Sequence, residues 1–278
     1  MTEIKLIALD LDNTLFDDEK RVSKANKEAI KKATQIGVKV VITTGRPLKA
    51  IGDLLEELDL NHPMDYSVTF NGGLIQRNDG HILAQQALSR NEVVTIYRQL
   101  STMGLPVDIL SEETVYSLSE PGRPSRYSEA NPLLTFKKLD RLADLPEDII
   151  YNKVVVVTDK DFLDDKIKEM PAMIFNDFEA FKSREIIFEI MPKGVHKASG
   201  LAELCSLLGI NRENVMTVGD EENDLTMIDW AGLGVAMNNA APIVKETAKA
   251  ITENDNNHSG VAEAIEKYVL SGEKDGII

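Results

Sequence analysis

The sequence predicts an α/β fold, a doubly wound parallel sheet interrupted by an inserted α+β unit. Three observations carry this reading. The runs Ile4–Leu9, Val38–Ile42 and Asn214–Val218 are almost continuously apolar, as expected of strands covered on both faces. Amphipathic helical patterns lie between such runs, which is the order of a βαβ unit. From about Leu83 to Ile190 the texture changes to short strand-like pieces among polar and Pro-bearing stretches, and the α/β texture returns at Lys197. The expected division is a core of 1–84 and 190–278 with 85–189 inserted. A chain of 278 residues exceeds the ~100–200 residues of a typical domain.

The elements follow in order. After the first strand, Ser23 caps a helix whose apolar face is Ala25, Ala29, Ile30, Ala33 and Ile36, and Gly37 suits its exit. The strand Val38–Ile42 then runs parallel to the first. Pro47 suits the first turn of a helix reaching Leu58, and Tyr66–Phe70 reads as a third strand. In the insertion, Ser89-Arg90-Asn91-Glu92 fits a capping box opening a helix to about Met103. Val107–Leu110, Thr114–Leu118 and Lys153–Val157 read as strands, and Pro121-Gly122-Arg123-Pro124 as a loop. Lys197–Leu208 is a helix, Asn214–Val218 a strand, and Asp224–Trp230 a helix.

Composition narrows the functional classes. With 46 acidic and 31 basic residues, a net charge of -15 and no basic cluster, nucleic acid and anionic membrane are unsuitable partners. Cys205 is the single cysteine, which excludes an intrachain disulfide, and its neighbours Leu201, Leu204 and Leu208 make it a buried structural thiol. Trp230 and the methionines are expected in the core. The chain opens on a strand pattern without a signal core and has no long apolar stretch, so a cytoplasmic location is expected.

The first strand ends in Asp10-Leu11-Asp12-Asn13-Thr14, where a buried strand reaches the surface. In open α/β sheets ligands sit beyond the carboxyl ends of strands. Parallel pairing brings Thr43-Thr44-Gly45-Arg46 and Gly219-Asp220-Glu221-Glu222-Asn223-Asp224 to the same edge, with Lys197 preceding the last strand. So many carboxylates in one cleft repel unless a hard divalent cation sits among them, and Mg²⁺ is the natural choice. Mg²⁺ commonly shares a phosphate oxygen, which nominates a phosphorylated substrate. Thr44 offers a hydroxyl, Gly45 a close-approaching backbone N–H and Lys197 a cation for that group. Asp10 and Asp12 divide the labour: one attacks phosphorus, the other manages protons.

Asp10-x-Asp12-x-Thr14, Thr44-Gly45-Arg46, Lys197 and Gly219-Asp220-x-x-Asn223-Asp224, in that order, resemble the four motifs of the haloacid dehalogenase superfamily, and within it the Cof-type sugar phosphatases. Phe70-Asn71-Gly72-Gly73, Glu189–Lys197 and Gly234–Ala240 extend the resemblance over nearly the whole chain. It implies a Rossmann-like core with a C2-type cap that closes over the substrate. It implies Asp10 as nucleophile and metal ligand, and Asp12 as general acid/base with its backbone carbonyl on the metal. Thr44, Lys197, Asn223 and the backbone at Leu11 and Gly45 hold the phosphoryl group; Asp220 completes the metal site and Asp224 supports it. Asn13 departs from the glycine of many relatives, at a residue type that tolerates left-handed backbone.

Other residues read more plainly. Glu221 and Glu222 suit a solvated first turn, Asp17, Asp18 and Glu19 a loop, and His62, His81 and His258 a polar surface; His196, beside Lys197, is expected to shape the site. The expected partner is a small phosphate ester, with Tyr116, Arg123, Arg126, Tyr127 and Lys153 as cap residues that could read it. Two alternatives share the constellation: a phosphomutase or phosphotransferase with the same nucleophile, and a phospho-acceptor signalling module, which needs no insertion. Dehalogenation calls for a halide pocket rather than a metal cluster.

Overall fold

The computed structural model describes residues 2–118 and 123–271. Pro121 and Gly122 of the expected loop, and 272–278 at the end of the expected core, lie outside them. The chain forms two compact units: Met1–Thr44, Asp53–Ala84 and His196–Ile278 in the first, Gly45–Gly52 and Gln85–Val195 in the second. Among the described residues no helix is long and apolar enough to cross a membrane.

The first unit is built on an eight-stranded sheet in the order Ala250–Ile251, Leu233–Ala236, Val215–Gly219, Leu6–Leu9, Lys39–Thr43, Tyr66–Thr69, Leu74–Arg77, Ile82–Gln85. The first six pair in parallel, and Tyr66–Thr69 pairs with Leu74–Arg77 antiparallel. Leu9 stands level with Val218 on one side and with Ile42 on the other. Asp10, Gly219 and Thr43 therefore leave the sheet side by side. The central strands are buried throughout, as their unbroken apolar runs require.

Helices on this sheet start and stop where local chemistry dictates. Ser23 Oγ accepts from the Asn26 amide at 3.1 Å, the helix Lys24–Gln35 buries Ala29, Ile30 and Ala33, and Gly37 leaves it at φ +89. The helix Lys197–Leu208 buries Ala198, Leu201, Leu204 and Cys205 and ends at left-handed Gly209. Burial pushes the Cys205 thiol up to about 11, consistent with an inert core residue.

That helix is seated by two glycines. A Cβ on Gly72, whose φ is +103, would lie 2.2 Å from the His196 carbonyl oxygen, and one on Gly200 would lie 2.6 Å from Gly72 Cα. Backbone thus meets backbone where Lys197 begins. Gly72→Ala combines overpacking with an unfavourable φ and is expected to cost about 2–4 kcal/mol. A urea midpoint equal to that of the wild type would refute this seating.

Several local expectations need correction. The helix expected from Pro47 to Leu58 is a 3₁₀ turn, Leu48–Ile51, and a short helix, Leu54–Glu57, because Gly52 turns the chain at φ +57. The strands Leu74–Arg77 and Ile82–Gln85 were not expected, although Asp79-Gly80 between them is a hairpin signal. Trp230 is only half-buried and Met64 is 60% exposed, so neither is core.

The second unit has a six-stranded sheet in the order Phe178–Arg184, Ile187–Pro192, Lys153–Val157, Val107–Ser111, Thr114–Leu118, Thr135–Leu139. All neighbours are antiparallel except the last pair. Val154, Val156, Ile109, Phe188 and Ile190 pack with Val93, Ile96 and Leu100 of the helix Arg90–Thr102. Ser89 and Glu92 form the expected capping box on that helix. Strand alternation puts Lys153, Val155, Asp108 and Glu189 on the opposite face.

Candidate active site

The site is assembled at the level strand ends of the first unit. The Asp10 amide donates to Val218 O at 3.1 Å, so the first strand's ladder continues into the residue that carries the carboxylate. Beyond it Leu11–Leu15 makes a single π-helical turn in which Asp12 is extended and Asn13 left-handed at φ +59. Asparagine thus supplies the conformation for which glycine is the usual choice. Leu11 is fully buried, and its carbonyl accepts from the Phe16 amide at 2.8 Å.

Asp10, Asp220 and Asp224 bring carboxylate oxygens within 4.8 Å of one another, and all three are buried. Lys197, wholly buried, donates to Asp10 Oδ1 at 2.5 Å and to Asp224 Oδ1 at 2.6 Å. Asp224 Oδ2 accepts the Asp220 and Glu221 amides at 2.9 and 3.1 Å. Thr14 Oγ1 donates to Asp220 Oδ1 at 2.7 Å. Gly219 makes room for this arrangement, since a Cβ there would stand 2.6 Å from Asp224 Cγ.

These contacts sort the carboxylates. Asp224 is committed to Lys197 and two amides. Asp10 Oδ2 and Asp220 Oδ2 receive no hydrogen bond among the described residues. Three carboxylates against one ammonium would, if all were ionised, leave two buried negative charges in excess. Burial, then Asp224, pushes Asp10 up to about 7 despite Lys197. Burial, with Asp10 and Asp224, pushes Asp220 up to about 9 against the Thr14 hydroxyl. Burial opposes the charge on Lys197, but Asp10 and Asp224 hold its pKa above that of an ordinary lysine. The cluster therefore suits a divalent cation bound through hard oxygen donors.

The remaining expected residues are distributed unevenly. Asp12 stands apart from the three-carboxylate cluster: its Oδ1 accepts from Lys20 Nζ at 3.0 Å. Asn223 Nδ2 donates to Asn71 Oδ1 at 3.3 Å. Thr44 is buried, its amide donating to Val68 O at 2.9 Å and its carbonyl accepting from Asn71 at 3.0 Å. Gly45 belongs to the second unit, where its carbonyl accepts from Lys153 Nζ at 2.8 Å. His196 caps the Lys197 helix, its Nδ1 accepting from the Ser199 amide at 3.1 Å.

Sequence reasoning gave no part to Lys20, named Asn71 only within Phe70-Asn71-Gly72-Gly73, and missed a side-chain clamp on the loop after Asp10. Asn239 Nδ2 donates to Asn13 O at 2.7 Å, and Asn239 Oδ1 accepts from the Asn256 amide at 3.1 Å. Asn256 Nδ2, from a buried residue, reaches Phe16 O at 3.1 Å. Left-handed Asn71, at φ +53, and the run Asn254–Asn257 were the available signals. Of the expected substrate readers, Arg123 lies 3.8 Å over the Phe162 ring and pairs with Asp159 at 3.0 Å, and Arg126 pairs with Glu129.

The chain matches the model of the haloacid dehalogenase-like hydrolases over residues 7–265. It is 34% identical over 269 residues to the 5-amino-6-(5-phospho-D-ribitylamino)uracil phosphatase YcsE of Bacillus subtilis, covering 96% of this chain and 97% of that protein. The crystal structure of a haloacid dehalogenase-like hydrolase from Bacteroides thetaiotaomicron superposes with a TM-score of 0.81 at 31% identity, covering 95% of this chain and 99% of that one. A second, from B. subtilis, gives a TM-score of 0.81 at 25% identity, with coverages of 95% and 99%. Sequence and fold agree over nearly the full length: the chain belongs to the haloacid dehalogenase-like hydrolase family.

Proposed function

We propose that the protein is a Mg²⁺-dependent phosphomonoesterase that hydrolyses small phosphorylated metabolites, with sugar phosphates as the leading class, through an aspartyl-phosphate. The observation that carries this reading is the buried cluster of Asp10, Asp220 and Asp224 around Lys197, two negative charges in excess. The name of YcsE, whose substrate carries its phosphate on a ribityl chain, supports a polyol or sugar ester.

Asp10 and Asp220, with the Asp12 backbone carbonyl, would hold the ion. Bound there, Mg²⁺ supplies positive charge to the phosphoryl oxygens and offsets their repulsion by Asp10. Asp10 Oδ2, the oxygen that Lys197 leaves open, attacks phosphorus, and the ester oxygen departs with a proton from Asp12. Asp12, now ionised, takes a proton from water as that water attacks the aspartyl-phosphate, which releases inorganic phosphate and restores Asp10. Lys197 and Thr44 neutralise and bind the phosphoryl oxygens; Asn223 and the Leu11 and Gly45 amides complete that contact. By the family resemblance, the insertion 85–189 would act as the cap that excludes bulk water during the reaction.

The experiment is phosphate release from a panel of phosphorylated metabolites with and without Mg²⁺. Release of free phosphate in Mg²⁺ supports the hydrolase; phosphate moved between sugar positions instead identifies a mutase, and no turnover of any ester sinks the proposal.

The charge excess also sets a pH dependence. Asp10 and Asp220 have folded pKa values raised to about 7 and about 9 from 3.8. Their protonation favours the fold below the ordinary carboxylate range, and this contribution is lost as pH rises through the folded values. Metal-free protein is expected to lose stability from about pH 4 to pH 9, and Mg²⁺ to stabilise it more at pH 8 than at pH 5. At a hundredfold excess over Kd the gain is about 2.7 kcal/mol. Melting curves with Mg²⁺ or a chelator check this, and an equal Mg²⁺ shift at both pH values would count against it.

A further inference from the structure

Lys153 opens the strand Lys153–Val157, an otherwise apolar run, yet it is 2% exposed. A buried lysine needs partners that justify the loss of water. It has two: Glu189 Oε2 at 2.5 Å, itself on a buried residue of the neighbouring strand, and the Gly45 carbonyl at 2.8 Å. Gly45 follows Thr44 directly. The segment it opens, Gly45–Gly52, is compact with the second unit although both flanking segments belong to the first.

We infer that Lys153, oriented by Glu189, is a positioning residue for the phosphate-binding Thr44-Gly45 step. This rests on the phosphatase reading above and deepens it. The ammonium holds the Gly45 carbonyl and so restricts rotation about the bond between Gly45 Cα and its carbonyl carbon. Gly45 has no side chain to restrict that rotation itself. The chain accordingly crosses between units at Thr44–Gly45 and again at Gly52–Asp53, in addition to the two ends of the long insertion. Gly52, at φ +57, makes the second of these turns. The tie fastens a short segment, split from its neighbours in sequence, to the sheet of the second unit.

The test uses Lys153→Met/Glu189→Gln, which removes the tie without leaving one buried charge unpaired, and Lys153→Arg, which keeps a donor of different shape. Hydrogen exchange of the peptide covering Gly45–Gly52 reads the tie. Inhibition by inorganic phosphate and the split between kcat and KM read its consequence. In the double variant, exchange of that peptide is expected to rise tenfold or more while that of Leu6–Leu9 is unchanged, and the phosphate inhibition constant to rise about tenfold. Lys153→Arg should fall between the two proteins. Mg²⁺ should shift the melting temperature of all three equally, since Asp10 and Asp220 are untouched. Unchanged exchange at Gly45–Gly52 overturns the tie; faster exchange with wild-type phosphate inhibition and turnover overturns its positioning role. A wild-type protein that neither hydrolyses esters nor binds phosphate defeats the phosphatase reading instead, and with it the positioning role, while exchange still decides the tie.

Discussion

An Asp10→Asn variant is expected to lose about 10⁴-fold or more in turnover while its metal-free form becomes more stable than the wild type above pH 7. The two effects have one origin. Asp10 is the nucleophile in the proposed mechanism, and an amide cannot form the acyl-phosphate. In the metal-free fold the same carboxylate is an excess charge, raised to about 7 mainly by burial and then by Asp224. Asparagine keeps the shape and an oxygen acceptor for Lys197 but removes that charge. The gain at pH 8 is on the order of 1 kcal/mol or more. Mg²⁺ should stabilise the variant less than the wild type. Full phosphatase activity in purified Asp10→Asn would sink the mechanism, and a lower melting temperature for its metal-free form would sink the charge argument.

Lys197→Met is expected to act in the opposite direction on stability. It leaves Asp10 and Asp224, now hydrogen-bonded to Lys197 at 2.5 and 2.6 Å, without their common cation in a buried site. Removing one partner of a buried ion pair costs about 3–5 kcal/mol, which urea unfolding would register directly. Activity falls with it, through loss of phosphoryl binding and of the Asp10 orientation. The double variant Lys197→Met/Asp10→Asn should recover part of the stability and none of the turnover. Additive stability changes in that cycle would show that the two side chains do not interact.

The strand-helix order of the first unit was legible because its local signals agree. Continuous apolar runs mark the central strands, Ser23 caps its helix through its own hydroxyl, and Gly37 leaves that helix with a positive φ. The approach of Asp10, Lys197, Asp220 and Asp224 could be inferred from parallel topology alone. What escaped reading depends on single side chains reaching over long sequence separations. Nothing local to Lys153 announces a partner at Gly45, and nothing near Asp12 announces Lys20. The break at Gly52 was hidden because glycine inside a helical pattern is a weak signal until its φ is known. The contacts of Asp224 were equally hidden: its oxygens are taken up by Lys197 and two backbone amides.

The asparagine clamp on the loop after Asp10 has a consequence for the order of biosynthesis. The loop that begins at Asp10 is made before Asn239 and Asn256, which grip Asn13 and Phe16. Lys197, Asp220 and Asp224 also come late. A nascent chain therefore carries Asp10 and Asp12 in a loop that has neither its buried ion-pair partner Lys197 nor its fastening. The loop reaches its folded contacts only when the segment carrying Asn239 and Asn256 has been made and has folded back on it.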